Sequence, residues 1–196
     1  MKFDIILAGV GGQGVLSVAA IIAQAAVNDG FEVRQSEVHG MAQRGGAVLA
    51  HLRISDGIIA SDLVPKGGAD LILSMEPLES LRYIQWLSPT GTLVSAADPL
   101  VNIGNYPELS QILETIKALP RQRIIEAAAL AKEAGLSKAV NAVMAGAVSP
   151  FLPVGPDALQ NAISAIFSSK GETVIAANVS AFQMGRKAAQ DQSELK

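Results

Sequence analysis

Alternation between apolar and polar positions organises the start of the chain into strand, helix and strand. Residues 3–7 form an apolar run, and a glycine-rich stretch separates it from a second run over 15–27. The second run is apolar on nearly all sides, which predicts a buried helix that ends at residues 28–30. Residues 31–34 then alternate as a second strand. This order predicts a right-handed crossover and a parallel strand pair.

The next segment changes character twice. Residues 36–46 are polar and rich in glycine, which predicts a loop. Residues 47–54 alternate strictly, which predicts a strand with one apolar and one half-polar face. Ser55-Asp56-Gly57 predicts a turn, after which 58–60 would return as the second strand of an antiparallel hairpin.

Shorter patterns predict the remaining elements. Strands are predicted over 70–74, 92–95 and 123–125, and helices over 76–86, 109–119, 127–134, 138–146 (with Ser137 as N-cap), from Pro156 (with Leu159, Ile163, Ile166 and Phe167 facing inward) and over 172–189. The fold class is therefore α/β, as a three-layer α/β/α arrangement with a Rossmann-like, mostly parallel sheet and an antiparallel hairpin. We expect residues 1–189 to form a single domain and 190–196 to form a frayed tail.

Composition narrows the function classes. The 196 residues carry a net charge of -3, with no basic cluster beside aromatic residues, so nucleic-acid binding is not expected. There is no cysteine, which excludes thiolate-held iron–sulfur clusters, and two histidines do not favour a metal site. No apolar run is long enough to span a membrane, so we expect a cytoplasmic protein. Charged residues make up only 17%, which indicates either a surface covered by another subunit or a core rich in alanine and glycine.

The glycine turn after the first strand is the first candidate site. Gly9, Gly11 and Gly14 satisfy G-x-G-x-x-G, and Gly12 and Gln13 lie between them. Such a turn at a helix N-terminus can bind an anion through backbone N–H groups, or it can simply allow close packing of helix on strand. A dinucleotide site would also need an acidic residue at the end of the second strand. Glu37 has about the right spacing but lies in the predicted loop.

The loop over 39–46 is the second candidate. Arg44, followed by Gly45 and Gly46, could offer a bidentate fork to a carboxylate or phosphate, or it could pair with Glu37 on the surface. His39 has no nucleophile in a recognisable arrangement beside it. Outside the loop, His51 suits packing or an interface, and Asn141 and Asn178 suit structural amides. The residues therefore predict an anion site and an arginine loop, with no identifiable catalytic set.

Taken together, these motifs resemble the gamma-type subunit of 2-oxoacid:ferredoxin oxidoreductases over nearly the whole chain. The matching segments are G-x-G-G-Q-G-V from Gly9, E-x-H-G-M-x-Q-R-G-G from Glu37, R-I-S from Arg53, N-x-x-M-x-G-A from Asn141, P-D-x-L from Pro156, and the last helix with Asn178 and Gly185. The loop from Glu37 most resembles the beta subunit of the indolepyruvate type. Pyruvate and 2-oxoglutarate types tend instead toward a Tyr-Gly-Pro-Glu-x-Arg-Gly-Gly loop.

The resemblance implies oxidative decarboxylation of an aryl 2-oxoacid with coenzyme A as co-substrate and ferredoxin as electron acceptor. Thiamine diphosphate, Mg and [4Fe-4S] clusters are expected on a larger partner subunit. The chain agrees with this division, since it lacks cysteine and has no Gly-Asp-Gly motif of a diphosphate–magnesium site.

Under this hypothesis one edge of the sheet faces the thiamine-bearing partner. The glycine turn, Arg44, Gly45 and Gly46 would form an anion site, and Glu37, His39, Gly40, Met41 and Gln43 would belong to the partner interface. The rival interpretation is a free-standing NAD(P)-binding oxidoreductase that uses the turn over 9–14. A third is a non-catalytic scaffold that only completes a complex.

Overall fold

One sheet forms the centre of the molecule. The computed structural model describes residues 1–39 and 45–192. In these residues the strands are β1 (Lys2–Val10), β2 (Glu32–His39), β3 (Ala47–Ser55), β4 (Ala69–Ser74), β5 (Leu87–Ala96) and β6 (Gln122–Ile125). Their spatial order is β2-β3-β1-β4-β5-β6, with β1, β4, β5 and β6 parallel and β3 antiparallel to both of its neighbours. The predicted α/β class with a mostly parallel sheet is confirmed.

Helices cover both faces of the sheet. They are α1 (Val15–Asn28), α2 (Pro77–Arg82), α3 (Leu109–Lys117), α4 (Ala127–Glu133), α5 (Val140–Val148), α6 (Pro156–Ile166) and α7 (Glu172–Asp191). The larger core lies between the sheet and α1 and α4 to α7, and a smaller one lies under α2 and α3. Of the helices in the described ranges, none combines the length and the apolarity that a membrane crossing requires.

A buried ion pair joins β1 to β3. Asp4 and Arg53 face each other in the antiparallel register, and the Arg53 guanidinium binds both carboxylate oxygens, at 2.8 and 3.0 Å. Asp4 is fully buried and Arg53 nearly so. Nη1 of Arg53 donates to the carbonyls of Ser61 and Leu63, at 2.8 and 3.0 Å. All charged groups in this cluster are therefore hydrogen-bonded, as a buried pair requires.

The prediction that the first and second strands pair with each other is wrong, because β3 lies between β1 and β2. Both faces of β3 are largely buried, which suits an interior strand, whereas β2 is mostly exposed and carries the charges of an edge strand. The loop predicted from residue 36 is also wrong at its start. Residues 36–39 continue β2, so Glu37 lies in a strand opposite Ala50.

The predicted return strand over 58–60 is absent from the described structure. Both edges of β3 are already paired, with β1 and β2, so no ladder position is left for it. Instead the Arg53 side chain holds the segment after Gly57 through backbone carbonyls. Ile58 is 91% exposed, while Ile59 packs inward.

Two helix details also differ from prediction. Ser137 does not cap a helix, since α5 begins at Val140 after a turn in which the Ala139 N–H donates to the Leu136 carbonyl. Ile166, predicted to face inward, is 39% exposed at the end of α6. The other predicted elements occur, but β5 begins at Leu87 rather than at 92, and residues 84–86 of the predicted second helix form a separate 3-10 turn. Helix α7 continues to Asp191, into the tail predicted from 190, and residues 193–196 of that tail lie outside the described residues.

The end of α7 is joined to the outer edge of the sheet. The Gln192 side-chain amide accepts from the Ile124 N–H (3.2 Å) and donates to the Ile124 carbonyl (2.7 Å). Arg123 in β6 also donates to the Ala189 carbonyl, at 2.8 Å. These bonds satisfy backbone groups of β6 that no further strand pairs within the described ranges.

Helices α5 and α7 cross at two glycines. A Cβ atom at Gly185 would lie 1.9 Å from the Val143 carbonyl oxygen, and one at Gly146 would lie 1.9 Å from the Phe182 carbonyl oxygen. Neither neighbour is a flexible side chain, so any substitution must push the two helix backbones apart.

We therefore predict that Gly185→Ala destabilises the protein by about 1–3 kcal/mol or more, because the added methyl overlaps helix backbone. Urea denaturation monitored by circular dichroism measures this. Gly57→Ala is the matched control, since Gly57 has open space around its Cβ position. Its effect should stay within about 0.5 kcal/mol. Equal midpoints for Gly185→Ala and the unmodified protein would contradict the close crossing.

Candidate functional site

A crevice of about 580 Å³ opens at the carboxyl ends of β1, β4 and β5. The neighbouring parallel strands β1 and β4 lead into α1 and α2, which pack on opposite faces of the sheet. Ligands of open α/β sheets bind at such a switch point. The crevice is lined by Gly12, Gln13, Gly14, Ser17, Met75, Ala96, Asp98, Pro99, Leu100, Ala128, Lys138, Val140 and Asn141.

The glycines of the turn have different physical roles. A Cβ at Gly9 would lie 2.7 Å from Val15 Cγ2, so Gly9 lets α1 pack closely on the end of β1. Gly14 caps α1 with φ +78°, and its Cβ would lie 2.3 Å from Asn141 Nδ2. Gly12 has φ +102° and open space around it, on the crevice side. Close packing thus accounts for Gly9 and Gly14, whereas Gly12 leaves room for a ligand.

Gln13 holds the turn in place. Its Oε1 accepts from the Val10 N–H at 2.8 Å, and its Nε2 donates to the Met75 carbonyl at 3.1 Å. The side chain thereby joins the ends of β1 and β4 at the floor of the crevice. Gln13 serves the geometry of the site through these two bonds.

The two glycine loops meet through their backbones. The Gly11 N–H donates to the Gly46 carbonyl at 2.8 Å, and the Gly45 N–H donates to the Gly11 carbonyl at 3.2 Å. Asn102 also donates from Nδ2 to the Gly45 carbonyl, at 2.8 Å. The structure therefore brings the glycine turn, the end of the second loop and the segment after β5 together at one edge of the sheet.

Hydrogen-bond donors predominate at the mouth of the crevice. In the first turn of α1 the Ser17 N–H donates to the Gly14 carbonyl, which leaves the N–H groups of Val15 and Leu16 without a partner within the helix, next to the Ser17 hydroxyl that lines the crevice. The Asn141 amide, which lies next to Gly14, and the Lys138 ammonium also line the crevice. Asp98 contributes a carboxylate, one oxygen of which accepts from the Ala128 N–H at 3.0 Å. This combination suits an anionic group attached to a polar body.

The crevice lining includes neither histidine nor cysteine, and its possible nucleophiles and bases, Ser17, Lys138 and Asp98, form no hydrogen-bonded pair with one another. Across residues 1–39 and 45–192, no group of three or more potential metal-ligating side chains comes together. The arrangement can bind and orient a ligand, and these residues alone provide no catalytic set.

A cluster of buried polar side chains near the crevice was not predicted from the sequence. Glu76 and Glu79 at the start of α2 are almost fully buried, and Glu79 accepts from Arg82 Nε at 2.9 Å. Desolvation by burial raises the pKa of Glu79 above its ordinary value. The Tyr106 hydroxyl donates to the Glu76 carboxylate. The only sequence signal is the Glu76-Pro77 helix start, which indicates a cap.

Of the remaining predicted site residues, Glu37 and the His39 backbone lie within the described part of the chain and four residues lie outside it. Glu37 lies exposed on β2, and the His39 backbone ends that strand opposite Val48. Gly40, Met41, Gln43 and Arg44 lie outside the described residues.

His51 and Asn178 have structural partners. His51 Nδ1 accepts from the Val64 N–H at 3.1 Å, and its ring meets Trp86 edge-on with centroids 6.5 Å apart. Burial, and secondly the charge of Arg53, lower the pKa of His51 below its ordinary value. Asn178 donates to the Val174 carbonyl one turn back in α7, at 2.8 Å.

Sequence comparison finds relatives along the whole chain. Residues 4–188 match the family described as pyruvate ferredoxin/flavodoxin oxidoreductase. The chain is 38% identical to indolepyruvate oxidoreductase subunit IorB of Archaeoglobus fulgidus, over 94% of both chains. It is 30% identical to 2-oxoglutarate synthase subunit KorC of Methanothermobacter marburgensis, over 95% of this chain and 96% of that one.

Solved structures also share the fold. The gamma subunit of a keto/oxoacid ferredoxin oxidoreductase from Geobacter sulfurreducens superposes with a TM-score of 0.68 at 26% identity, over 96% of this chain and 99% of that one. The 2-oxoglutarate:ferredoxin oxidoreductase of Magnetococcus marinus, solved with 2-oxoglutarate, coenzyme A and succinyl-CoA bound, gives 0.76 at 23% identity. That match covers 97% of this chain and 31% of the longer one.

The environment of His51 predicts a pH dependence of stability. Because the pKa of His51 is lower in the folded chain than the unfolded value of about 6.5, the unfolded state binds more protons as the pH falls. Stability from this group is therefore full above pH ~6.5 and declines below it.

In His51→Asn, whose Oδ1 can replace Nδ1 as acceptor for Val64, this decline should disappear. Urea unfolding of both proteins between about pH 7 and pH 5 measures it, since other groups cancel in the difference. If the stability of the two proteins changes in parallel with pH, His51 has the same pKa in the folded and unfolded states and the prediction is wrong.

Proposed function

This chain belongs to the pyruvate ferredoxin/flavodoxin oxidoreductase family, and on that premise we propose that it is the cofactor-free subunit of an indolepyruvate-type 2-oxoacid:ferredoxin oxidoreductase. In such a reaction the bond between the carboxyl and oxo carbons breaks and carbon dioxide leaves. The acyl group passes to the sulfur of coenzyme A, the thiol proton is released, and the two electrons pass to ferredoxin. The identity to IorB supports the indolepyruvate type, since the match to KorC is weaker.

A larger partner subunit would carry the redox chemistry. Thiamine diphosphate supplies the carbanion stabilisation and iron–sulfur clusters the electron transfer when bound there. The residues of this chain do not fit either group, because it has no cysteine, no Gly-Asp-Gly motif and, in the described part, no cluster of acidic ligands. Ferredoxin would dock on the complex, which we expect in the cytoplasm.

The role that we propose for this chain rests on the crevice, whose lining is rich in hydrogen-bond donors. We assign it to a phosphate-bearing part of coenzyme A, with the start of α1, Ser17 and Lys138 as anion contacts and Asp98 as acceptor for a polar group. The longer Magnetococcus protein shares this fold and was solved with coenzyme A bound, which supports coenzyme A as the ligand. Arg44 would add positive charge at the same edge, since Gly45 next to it pairs with Gly11.

The edge of the sheet around the crevice would also face the partner subunit. Apolar side chains exposed there include Val38 (60%) at the end of β2 and Val101 (69%) after β5. Apolar exposure beside a polar rim is typical of a protein interface. Glu37, His39, Gly40, Met41 and Gln43 would contribute to the same interface from β2 and its loop.

The rival function, a free-standing NAD(P)-dependent enzyme, has weaker support. In a dinucleotide-binding fold the acidic residue ends the strand next to the glycine turn. Here β3 intervenes, so Glu37 lies two strand spacings, about 9.5 Å, from β1. Calorimetry of the isolated chain with NADH and NADPH separates the two functions, since the proposed subunit should bind neither.

We predict that Lys138→Ala raises the KM for coenzyme A roughly tenfold in the complex reconstituted with the large subunit, because one charged contact to phosphate is lost. Arg44→Ala should weaken complex formation or turnover. Initial rates against coenzyme A concentration, with a screen of aryl, branched and small 2-oxoacids, measure these effects.

Lys132→Ala is the matched control, because Lys132 is an exposed lysine of α4 that does not line the crevice. An unchanged KM for coenzyme A in Lys138→Ala would remove the crevice from coenzyme A binding. Unchanged assembly and unchanged turnover in Arg44→Ala and Lys138→Ala alike would favour the scaffold interpretation.

A further inference from the structure

Glu76 joins two segments that are far apart in sequence. Its side chain is 1% exposed. One carboxylate oxygen caps α2 by accepting from the Glu79 N–H at 2.8 Å. The other accepts from the Leu100 N–H at 3.3 Å and from the Tyr106 hydroxyl. A buried carboxylate requires such donors, and here they come from α2 and from the segment after β5.

That segment, residues 98–107, is the wall of the crevice. It connects β5 to α3 without belonging to a helix or strand of its own. Asp98, Pro99 and Leu100 line the crevice directly. Because no backbone ladder holds the wall, its position depends on side-chain hydrogen bonds and on the packing of Tyr106 against the smaller core.

The wall is fastened at three places besides its chain ends. Asp98 accepts from the Ala128 N–H, Asn102 donates to the Gly45 carbonyl, and Glu76 binds both Leu100 and Tyr106. The first two contacts are exposed to water, whereas Glu76 is buried. Hydrogen bonds in a buried site are shielded from competition with water, so we take the bonds of Glu76 to be the main contribution to holding the wall.

Tyr106 is a dependable donor in this arrangement. Desolvation by burial, and then its hydrogen bond to Glu76, raise the pKa of the Tyr106 phenol well above its ordinary value. The hydroxyl therefore keeps its proton throughout the physiological range.

We propose that Glu76 is a positioning residue of the crevice, which sets the affinity for coenzyme A by holding the wall, residues 98–107, without touching the ligand. The inference rests on the proposed function, because it takes the crevice as the coenzyme A site. Through Asn102 and Gly45 the same carboxylate also sets the end of the second glycine loop, which pairs with Gly11.

The test uses Glu76→Gln and Tyr106→Phe in the reconstituted complex. Gln keeps the size of the side chain but replaces one acceptor with a donor, and Phe removes only the hydroxyl. Both should raise the KM for coenzyme A roughly threefold to tenfold, with kcat at saturation nearly unchanged. Hydrogen exchange of the Leu100 amide in the same complex should accelerate roughly tenfold.

Glu79→Gln is the matched control. Glu79 is as buried as Glu76 and starts the same helix, but its carboxylate bonds to Arg82 rather than to the wall. It should lower thermal stability while the KM for coenzyme A and the Leu100 exchange rate stay unchanged. An equal rise of KM in Glu79→Gln would reduce the role of Glu76 to general stability and overturn the proposal.

Lys138→Ala separates this inference from the proposed function. If Lys138→Ala raises the KM for coenzyme A but Glu76→Gln and Tyr106→Phe do not, the positioning role is overturned and the coenzyme A site stands. If none of the three raises it, the coenzyme A site itself fails and the inference fails with it. A higher KM in all three, with faster Leu100 exchange in Glu76→Gln and Tyr106→Phe only, supports both.

Discussion

The pairing of Asp4 with Arg53 fixes the register on which the candidate site depends. The two side chains face each other across β1 and β3, and a shift by one residue would separate them and leave a buried charge unpaired. The same register extends upward from Lys2 opposite Ser55 to Val10 opposite Ala47. Gly11 and Gly46 are the next pair, so the two glycine loops meet because of a constraint at the far end of the strands.

From that meeting point the crevice is assembled by elements from the whole chain. The β1–α1 turn supplies N–H groups, the start of α5 supplies an amide, and the segment after β5 supplies a wall. Gln13 and Glu76 contribute by holding backbone in place. Under the proposed function this site would orient a ligand for chemistry that the partner subunit performs, which agrees with a chain that contains no cysteine.

Local patterns were sufficient for most of the fold, and the family resemblance drawn from the motifs is confirmed over residues 4–188. The glycine turn and the α1 boundaries follow from periodicity and capping. Periodicity does not report which strands are neighbours, so the insertion of β3 between β1 and β2 was missed. The roles of Asp4, Arg53 and Glu76 depend on partners 49 and 24 residues away, at distances that spacing rules do not reach.

The two margins of the sheet are finished differently. At β6 the amide of Gln192 occupies the backbone groups of Ile124, much as an added strand would. At β2, eight residues run along the opposite margin with no further strand beside them in the described part of the chain. A strand from another chain would therefore add to this sheet along β2, whether in correct assembly or in misassociation at high concentration. A substitution that blocks pairing, or an engineered extra strand, would have its effect at that edge.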